Sequence, residues 1–204
     1  INTMDVPKGI ILEIGGGATK IVYYNRRNML NYATLPFGAV TLTDLFARDG
    51  LKPEEQAAKM EEFFTEQLKG LDWLTQLDPD VRMIGVGGSF RNVFKISKIV
   101  HKYPLDTVHN FEMQTEDFMP LYDMIKVLDL DKKKKIKGLS AERADILPAA
   151  LAIIKSFISY INVSSFTISG AGLREGIMFN QALPGTIEKP ITDVMNYSLT
   201  TLVK

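Results

Sequence analysis

The sequence predicts an α/β domain with a mixed five-stranded sheet flanked by helices. Three β-rich runs follow one another near the start of the chain, and helical patterns then alternate with two further short apolar runs. Glycine-rich turns follow the first, fourth and fifth of these five runs. With 204 residues and 46% hydrophobic content, the chain is long enough to bury a full core.

The strands are predicted from short segments rich in β-branched and aromatic residues and bounded by turn residues. Five segments have these features, and they lie at residues 9–14, 19–25, 29–35, 82–86 and 166–169. The first three are expected to form an antiparallel meander because short turns join them. The fourth strand is followed by Gly87 and Gly88, and the fifth by Gly170 and Gly172.

The helices are predicted where apolar residues recur every three or four positions. These segments lie at residues 42–46, 53–68, 90–99, 115–128, 140–160 and 173–180. Pro53 suits a first helical position, and Ser89 and Thr115 suit N-caps. Pro148 is expected to kink or divide the longest helix. Residues 1–182 are expected to form one domain, and residues 183–204 a tail or linker.

The first glycine turn carries the strongest functional signal. Because glycine has no Cβ, the successive amides of Gly15, Gly16 and Gly17 are able to point at one phosphate. The turn joins two strands and does not open a helix, which excludes a P-loop or a Rossmann turn. Glu13 adds a carboxylate that could hold Mg²⁺ directly or through water. This segment alone leaves open an ordinary glycine-rich hairpin with a solvated Glu13.

Composition excludes several other classes of function. The 24 basic and 24 acidic side chains cancel, so neither nucleic acid nor an anionic membrane is an expected partner. The chain has no cysteine, which excludes thiolate metal sites and fits a cytoplasmic location. The only histidines, His101 and His109, are expected at the surface. The longest apolar run is too short to span a bilayer, and no secretory signal is visible.

Four segments resemble motifs of the exopolyphosphatase and guanosine pentaphosphate phosphohydrolase (Ppx/GppA) family. LEIGGGATK at 12–20 resembles the second glycine loop, usually written DIGGGSTE, and GVGGS at 85–89 resembles GTGGT. SAERADILP at 140–148 resembles ERADxxP, and SGAGLREG at 169–176 matches SGxGLREG. The segments occur in family order. The order of strands and helices also resembles the ribonuclease-H-like core of the actin-like ATPase superfamily.

The resemblance implies that the chain is the second, C-terminal domain of a two-domain phosphohydrolase. The expected reaction is Mg²⁺-assisted hydrolysis of terminal phosphoanhydrides in polyphosphate or guanosine pentaphosphate, with the general base in a first domain that this chain does not contain. Glu13 is the expected metal ligand. The residues expected to bind phosphate or substrate are Gly15, Gly16, Gly17, Ala18, Thr19, Lys20, Gly87, Gly88, Ser89, Arg91 and Arg143.

The expected partners are polyphosphate or guanosine penta- or tetraphosphate, the first domain of the same protein and, as an open expectation, a second copy in a homodimer. Three residues depart from the family pattern: Glu13 stands where the family usually has Asp, Lys20 replaces a usual Glu, and Ala18 removes a hydroxyl. These departures leave two alternatives open. One is a non-catalytic sensor of guanosine tetra- or pentaphosphate, and the other is a nucleotide-dependent kinase or actin-like ATPase domain that binds adenine nucleotide near Gly87 and Gly88.

Overall fold

The computed structural model describes residues 3–26, 28–47 and 50–182, and the predicted tail at 183–204 lies outside this range. One mixed sheet has the strand order β3-β2-β1-β4-β6-β5. Its strands are β1 (Lys8–Ile14), β2 (Thr19–Asn25), β3 (Asn28–Leu35), β4 (Arg82–Val86), β5 (Phe111–Gln114) and β6 (Ser165–Ile168). The first three form the predicted meander, and β4 and β6 run parallel to β1.

The α/β class is confirmed, but the prediction of five strands is wrong. The sheet of the described residues has six strands, and β5 is the strand that was not predicted. This strand has only four residues, Phe-Glu-Met-Gln, and pairs antiparallel with β6 at the sheet edge. Such a short segment has too few alternations for its pattern to be distinguished from a loop.

Seven α-helices are assigned in the described residues: α1 (Ala39–Phe46), α2 (Pro53–Lys69), α3 (Gly88–Val100), α4 (Thr115–Lys126), α5 (Leu130–Lys133), α6 (Leu147–Ile161) and α7 (Leu173–Ala182). The segment predicted as a helix at 140–160, kinked or divided by Pro148, is divided, but the break comes before Pro148. A short 3₁₀ turn, Ala141–Arg143, comes first, and α6 begins only at Leu147. Pro148 lies in the first turn of α6, where its missing N–H costs nothing, so it starts this helix and does not kink it. No helix in the described ranges is both long and apolar enough to cross a membrane.

The two faces of the sheet are covered differently. Ile10, Leu12 and Ile14 of β1 lie in the large core beneath the helices, which includes most of α6. Ile11 and Glu13 point to the opposite face, as strand alternation requires. Residues 3–6 and α7 lie on that second face.

The parallel arrangement of β1, β4 and β6 determines where the candidate site lies. The carboxyl ends of these strands are at the same sheet edge, so the three glycine turns that follow them are neighbours. Open α/β sheets generally bind ligands beyond this edge.

Candidate functional site

The first glycine turn, residues 15–18, is fixed against the start of α1. The Gly15 amide donates to the Ala18 carbonyl at 2.9 Å and closes the hairpin. Three α1 amides donate to carbonyls of the turn: Ala39 to Gly15 at 2.9 Å, and Val40 and Thr41 to Gly16 at 2.9 and 3.2 Å. These bonds satisfy donors that a helix N-terminus would otherwise leave free, so α1 orients the turn.

Gly38 allows this close approach. A Cβ at position 38 would lie 2.4 Å from the Gly15 carbonyl oxygen and 2.5 Å from that of Gly16. No side chain fits in that space without moving the turn or the helix. Gly38 is therefore a positioning residue of the candidate site, and it was not among the predicted site residues.

The other side of the turn presents free amides. The described residues contain no cis peptide, and a trans peptide directs its N–H away from its own carbonyl. Since the Gly15 and Gly16 carbonyls point towards α1, the Gly16 and Gly17 amides point away from it. The amides of Gly16, Gly17 and Ala18 have no acceptor in the described part of the chain. Adjacent N–H groups of this kind form a concavity suited to an anion.

Glu13 and Lys20 flank the turn on the second face of the sheet. They are directly opposite each other in the β1–β2 register, and the Lys20 ammonium lies 3.3 Å from the Glu13 carboxylate. Both side chains line a 350 Å³ pocket whose walls are otherwise largely apolar. The side chains are 36% and 41% exposed, so the pair contributes at most about 1 kcal/mol and can open for a competing ligand.

The Mg²⁺ ion that the resemblance implies does not fit these residues by themselves. Glu13 is the carboxylate nearest the turn in sequence, and its charge is already paired with Lys20. No group of three or more carboxylate or histidine side chains able to hold a metal occurs in the described ranges. Any metal shell would need ligands from outside these residues.

A second cavity, of 450 Å³, lies where the first two glycine turns meet α1. Its walls include Gly15, Gly16, Val40, Gly88, Ser89 and Arg143. We call this cavity the helical-side cleft. Ser89 is 7% exposed, and its hydroxyl has no protein hydrogen-bond partner among the described residues, so it is available to a ligand in the cleft.

Gly87 and Gly88 shape this cleft in different ways. Gly87 has φ +108°, a conformation that favours glycine, and it allows α3 to start directly after β4. A Cβ on Gly88 would lie 2.5 Å from Nη1 of Arg143, so the guanidinium packs directly on the Gly88 backbone. Glu142 also lines the cleft and has no ion pair within the described chain. The cleft thus combines a cation, a free hydroxyl and a carboxylate.

The third glycine turn depends on His109, which is half-buried and not at the surface as predicted. Its Nδ1 accepts from the Gly170 amide at 3.1 Å, so the neutral ring carries its proton on Nε2 and donates to the Thr3 carbonyl, also at 3.1 Å. Burial lowers the pKa of His109 below 6.5. Only the fold brings Gly170 to this ring, so no local sequence signal indicated the contact.

The structure separates the predicted site residues into three groups. Glu13 and Lys20 lie together on the second face of the sheet, and Gly15, Gly16, Gly88, Ser89 and Arg143 lie together around the helical-side cleft. Arg91 is exposed on α3. The pKa of Glu175 is lowered mainly by the hydrogen bond from the Gly172 amide, and the positive charge of Arg91 lowers it further. Arg91 therefore lies near the start of α7 and outside the cleft lining.

Two predicted contacts on the first turn are wrong. Thr19 is fully buried and its hydroxyl donates to the Phe37 carbonyl at 2.7 Å, so this hydroxyl does not face a ligand. The Gly15 amide is used by Ala18 and is likewise not free for a phosphate. The amides of the turn that remain without an acceptor in the described part of the chain are the three that follow.

A family model for the Ppx/GppA phosphatase family matches residues 2–184. A guanosine-5'-triphosphate,3'-diphosphate pyrophosphatase of Pseudoalteromonas atlantica is 25% identical over 177 residues, which are 83% of this chain and 32% of that protein. A bifunctional 3-dehydroquinate synthase/phosphatase of Fusobacterium nucleatum is 23% identical over 164 residues, 78% of this chain and 24% of that protein. The chain thus spans a third or less of the length of these curated relatives.

Solved structures show the same fold. An exopolyphosphatase from Cytophaga hutchinsonii superposes with a TM-score of 0.77 at 21% identity, over 88% of this chain and 58% of that one. A Ppx/GppA family member from Aquifex aeolicus gives a TM-score of 0.74 at 22% identity, over 88% of this chain and 57% of that one. The described residues therefore have the same fold as these two structures.

Proposed function

Because the chain belongs to the Ppx/GppA phosphatase family, we propose that it is the phosphate-binding half of a hydrolase that cleaves terminal phosphoanhydrides. The substrates proposed are polyphosphate or guanosine pentaphosphate. The names of the relatives support this class of substrate: one is a guanosine-5'-triphosphate,3'-diphosphate pyrophosphatase and another an exopolyphosphatase. In this proposal the chain is the second of two domains that face each other across the substrate.

The observation that carries the proposal is the amide side of the first glycine turn. Gly16, Gly17 and Ala18 present adjacent N–H groups without a protein acceptor at the ligand-binding edge of the sheet. An unsatisfied backbone donor is costly unless water or a ligand accepts from it. A phosphate oxygen satisfies several such donors at once, which supports the turn as the site of a terminal phosphate.

The helical-side cleft is the proposed site for the remainder of the substrate. Arg143 supplies a guanidinium suited to paired contacts with phosphate oxygens, and Ser89 supplies a free hydroxyl. Gly87 and Gly88 bring the start of α3 to this place. Because the free amides point away from α1 and the cleft lies beside α1, a polyphosphate chain would pass around the turn to meet donors at both ends.

The proposed chemistry is attack of water on the terminal phosphorus. A new P–O bond forms, the bridging P–O bond breaks and the proton of the water passes to a general base. The shortened polyphosphate or guanosine tetraphosphate is the leaving group, and the terminal phosphate is released as orthophosphate. The base is expected in the first domain. The role of this chain is to hold the terminal phosphate in line with the attacking water. A magnesium requirement is proposed only for a longer protein that supplies further ligands, and no step here depends on it.

Orthophosphate release from long-chain polyphosphate tests the reaction. The measurement compares a longer protein that contains this chain with the chain alone, at equal concentration and with Mg²⁺ present. Release by the longer protein alone is the expected result, because the proposed base lies in its first domain. Release by neither folded protein would contradict hydrolysis and would favour the sensor function below.

Gly16→Val tests the binding site itself. A Cβ at position 16 would lie 3.4 Å from Cγ2 of Val40, so the added methyl groups of valine would push the turn away from α1. We expect binding of tripolyphosphate to be abolished while the circular dichroism spectrum is retained. Gly70→Ala is the control, since its Cβ would meet Gln67 only at 3.4 Å, far from the site. Retained affinity in Gly16→Val would show that the turn does not bind phosphate.

A second candidate function is a non-catalytic sensor of guanosine tetra- or pentaphosphate. Two observations favour it: Lys20 is paired with Glu13, and Glu142 places a carboxylate acceptor in the helical-side cleft. Guanine presents N–H donors that such an acceptor could bind, whereas polyphosphate presents none. Tight binding of guanosine tetraphosphate by the longer protein, without turnover of guanosine pentaphosphate, would support the sensor. Turnover would exclude it.

A further inference from the structure

The free amides of the first glycine turn and the Lys20 ammonium lie on the same side of that turn. Ile10, Leu12 and Ile14 face the helical core, so the alternate position Glu13 and its cross-strand partner Lys20 face away from it. The Gly16 and Gly17 amides also point away from α1, because their carbonyl partners point towards it. The side-chain cation and the backbone donors therefore both point away from the helical side of the turn.

The charges in this region already balance. Lys20 neutralises Glu13 at 3.3 Å, and both groups remain more than a third exposed. A divalent cation approaching Glu13 would have to displace an ammonium group and would meet its repulsion. A phosphate that approaches the amides is attracted by the ammonium group, because Lys20 can exchange its carboxylate partner for the phosphate.

We propose that this site binds a terminal phosphate directly and without a divalent metal, through the Gly16 and Gly17 amides and the Lys20 ammonium. Glu13 holds Lys20 beside the turn while no anion is bound, and it competes with the phosphate for the same cation. This inference rests on the proposed phosphate-binding function of the turn. It assigns to Lys20 the positive charge that a metal ion would otherwise supply.

The competition makes the effect of a change at Glu13 distinctive. Removal of its charge frees Lys20 and also removes repulsion of the incoming phosphate. Glu13→Gln should therefore bind tripolyphosphate several-fold more tightly than the unchanged chain in EDTA. A residue that binds phosphate through a metal would have the opposite effect, because the amide of glutamine is a poorer Mg²⁺ ligand.

Calorimetric titration with tripolyphosphate in EDTA tests the role of Lys20. Lys20→Gln should lose about tenfold in affinity, as expected for loss of one charged contact to phosphate. Lys8→Gln is a matched control, because Lys8 is also ion-paired, to Asp78, and is also 41% exposed, at the other end of β1. It should stay within about twofold of the unchanged chain. Equal losses in the two variants would overturn the assignment of Lys20.

Titration with Mg²⁺ alone tests the metal-free part of the inference. The unchanged 204-residue chain should show no heat of Mg²⁺ binding at the turn, whereas Lys20→Glu, which places two carboxylates opposite each other, should gain it. Circular dichroism of each variant verifies the fold. The double variant Glu13→Gln/Lys20→Glu should lose this heat of Mg²⁺ binding, because the two carboxylates are the expected ligands.

The outcomes separate this inference from the proposed function. Tripolyphosphate binding that appears only with Mg²⁺ and weakens in Glu13→Gln would overturn the metal-free site but leave the turn as a phosphate site. An absence of tripolyphosphate binding by the folded chain under both conditions would overturn both. Binding in EDTA that strengthens in Glu13→Gln and weakens in Lys20→Gln supports both.

Discussion

Gly38→Ala should separate the first glycine turn from α1 and weaken the fold. The new Cβ would lie 2.4 and 2.5 Å from the Gly15 and Gly16 carbonyl oxygens and 2.6 Å from the Gly16 carbonyl carbon. Since both the turn and the helix are backbone, neither can relieve this overlap by a change of rotamer. The two must move apart, which stretches three backbone hydrogen bonds of 2.9, 2.9 and 3.2 Å.

The expected cost follows from these bonds. At roughly 1 kcal/mol for each net hydrogen bond, the loss is about 3 kcal/mol, which matches the usual range for overpacking. For a chain of this size, that corresponds to a fall in melting temperature of about 6–12 °C. Urea denaturation gives the free energy of unfolding, and titration with tripolyphosphate should show at least a tenfold loss of affinity, because the free amides move with the turn.

Gly70→Ala provides the comparison for this prediction. Gly70 has helical backbone angles of −72° and −3°, and an added Cβ would come no closer than 3.4 Å to the Gln67 carbonyl. Its free energy of unfolding should change by less than about 1 kcal/mol. If Gly38→Ala is as stable as Gly70→Ala and binds tripolyphosphate normally, the contact between α1 and the turn does not position the site.

Two further predictions concern the other glycine turns. The unfolding free energy should be constant above about pH 6.5 and should fall below it, because burial holds the pKa of His109 under its unfolded value and its protonated Nδ1 cannot accept from Gly170. Urea denaturation at several pH values measures the free energy of unfolding, and His109→Gln should reduce its dependence on pH. The same pH profile in His109→Gln and the unchanged chain would contradict this role of His109. Gly88→Ala should displace the Arg143 guanidinium, whose Nη1 lies 2.5 Å from the added Cβ, and weaken tripolyphosphate binding several-fold with little loss of stability. Arg143→Gln should weaken binding to a similar extent, and normal affinity in both variants would exclude the helical-side cleft.

Much of the fold was predictable because its main elements carry strong local patterns. Strands β1 to β4 have β-branched runs ended by glycine or polar turns, and α2 and α3 have clear helical periodicity. The errors occur where local pattern is weak or ambiguous. Strand β5 is too short for periodicity, and the residues before α6 are compatible with a helix until Pro148 fixes its start.

The candidate site was predictable only in part for a related reason. The position of the glycine turns follows from the chain order, and the pairing of Glu13 with Lys20 follows from hairpin register alone, since a turn at 15–18 places them opposite each other. By contrast, the hydrogen bond from the Thr19 hydroxyl to the Phe37 carbonyl depends on the path of the chain between β3 and α1. The bond from Gly170 to His109 depends on a residue 61 positions away. Such contacts are properties of the tertiary structure.

The two sides of the first glycine turn have opposite roles, and this division links fold to function. The Gly15 and Gly16 carbonyls accept hydrogen bonds from the first amides of α1, which fixes the turn. None of the free amides of the turn is used in these bonds. The same constraint directs the Gly16 and Gly17 amides to the other side, where Lys20 lies. A rigid set of donors does not have to be ordered when an anion binds, so less of the interaction energy is lost to ordering. The helix that stabilises the turn is thus also the reason that the turn presents the free amides on which the proposed phosphate site depends.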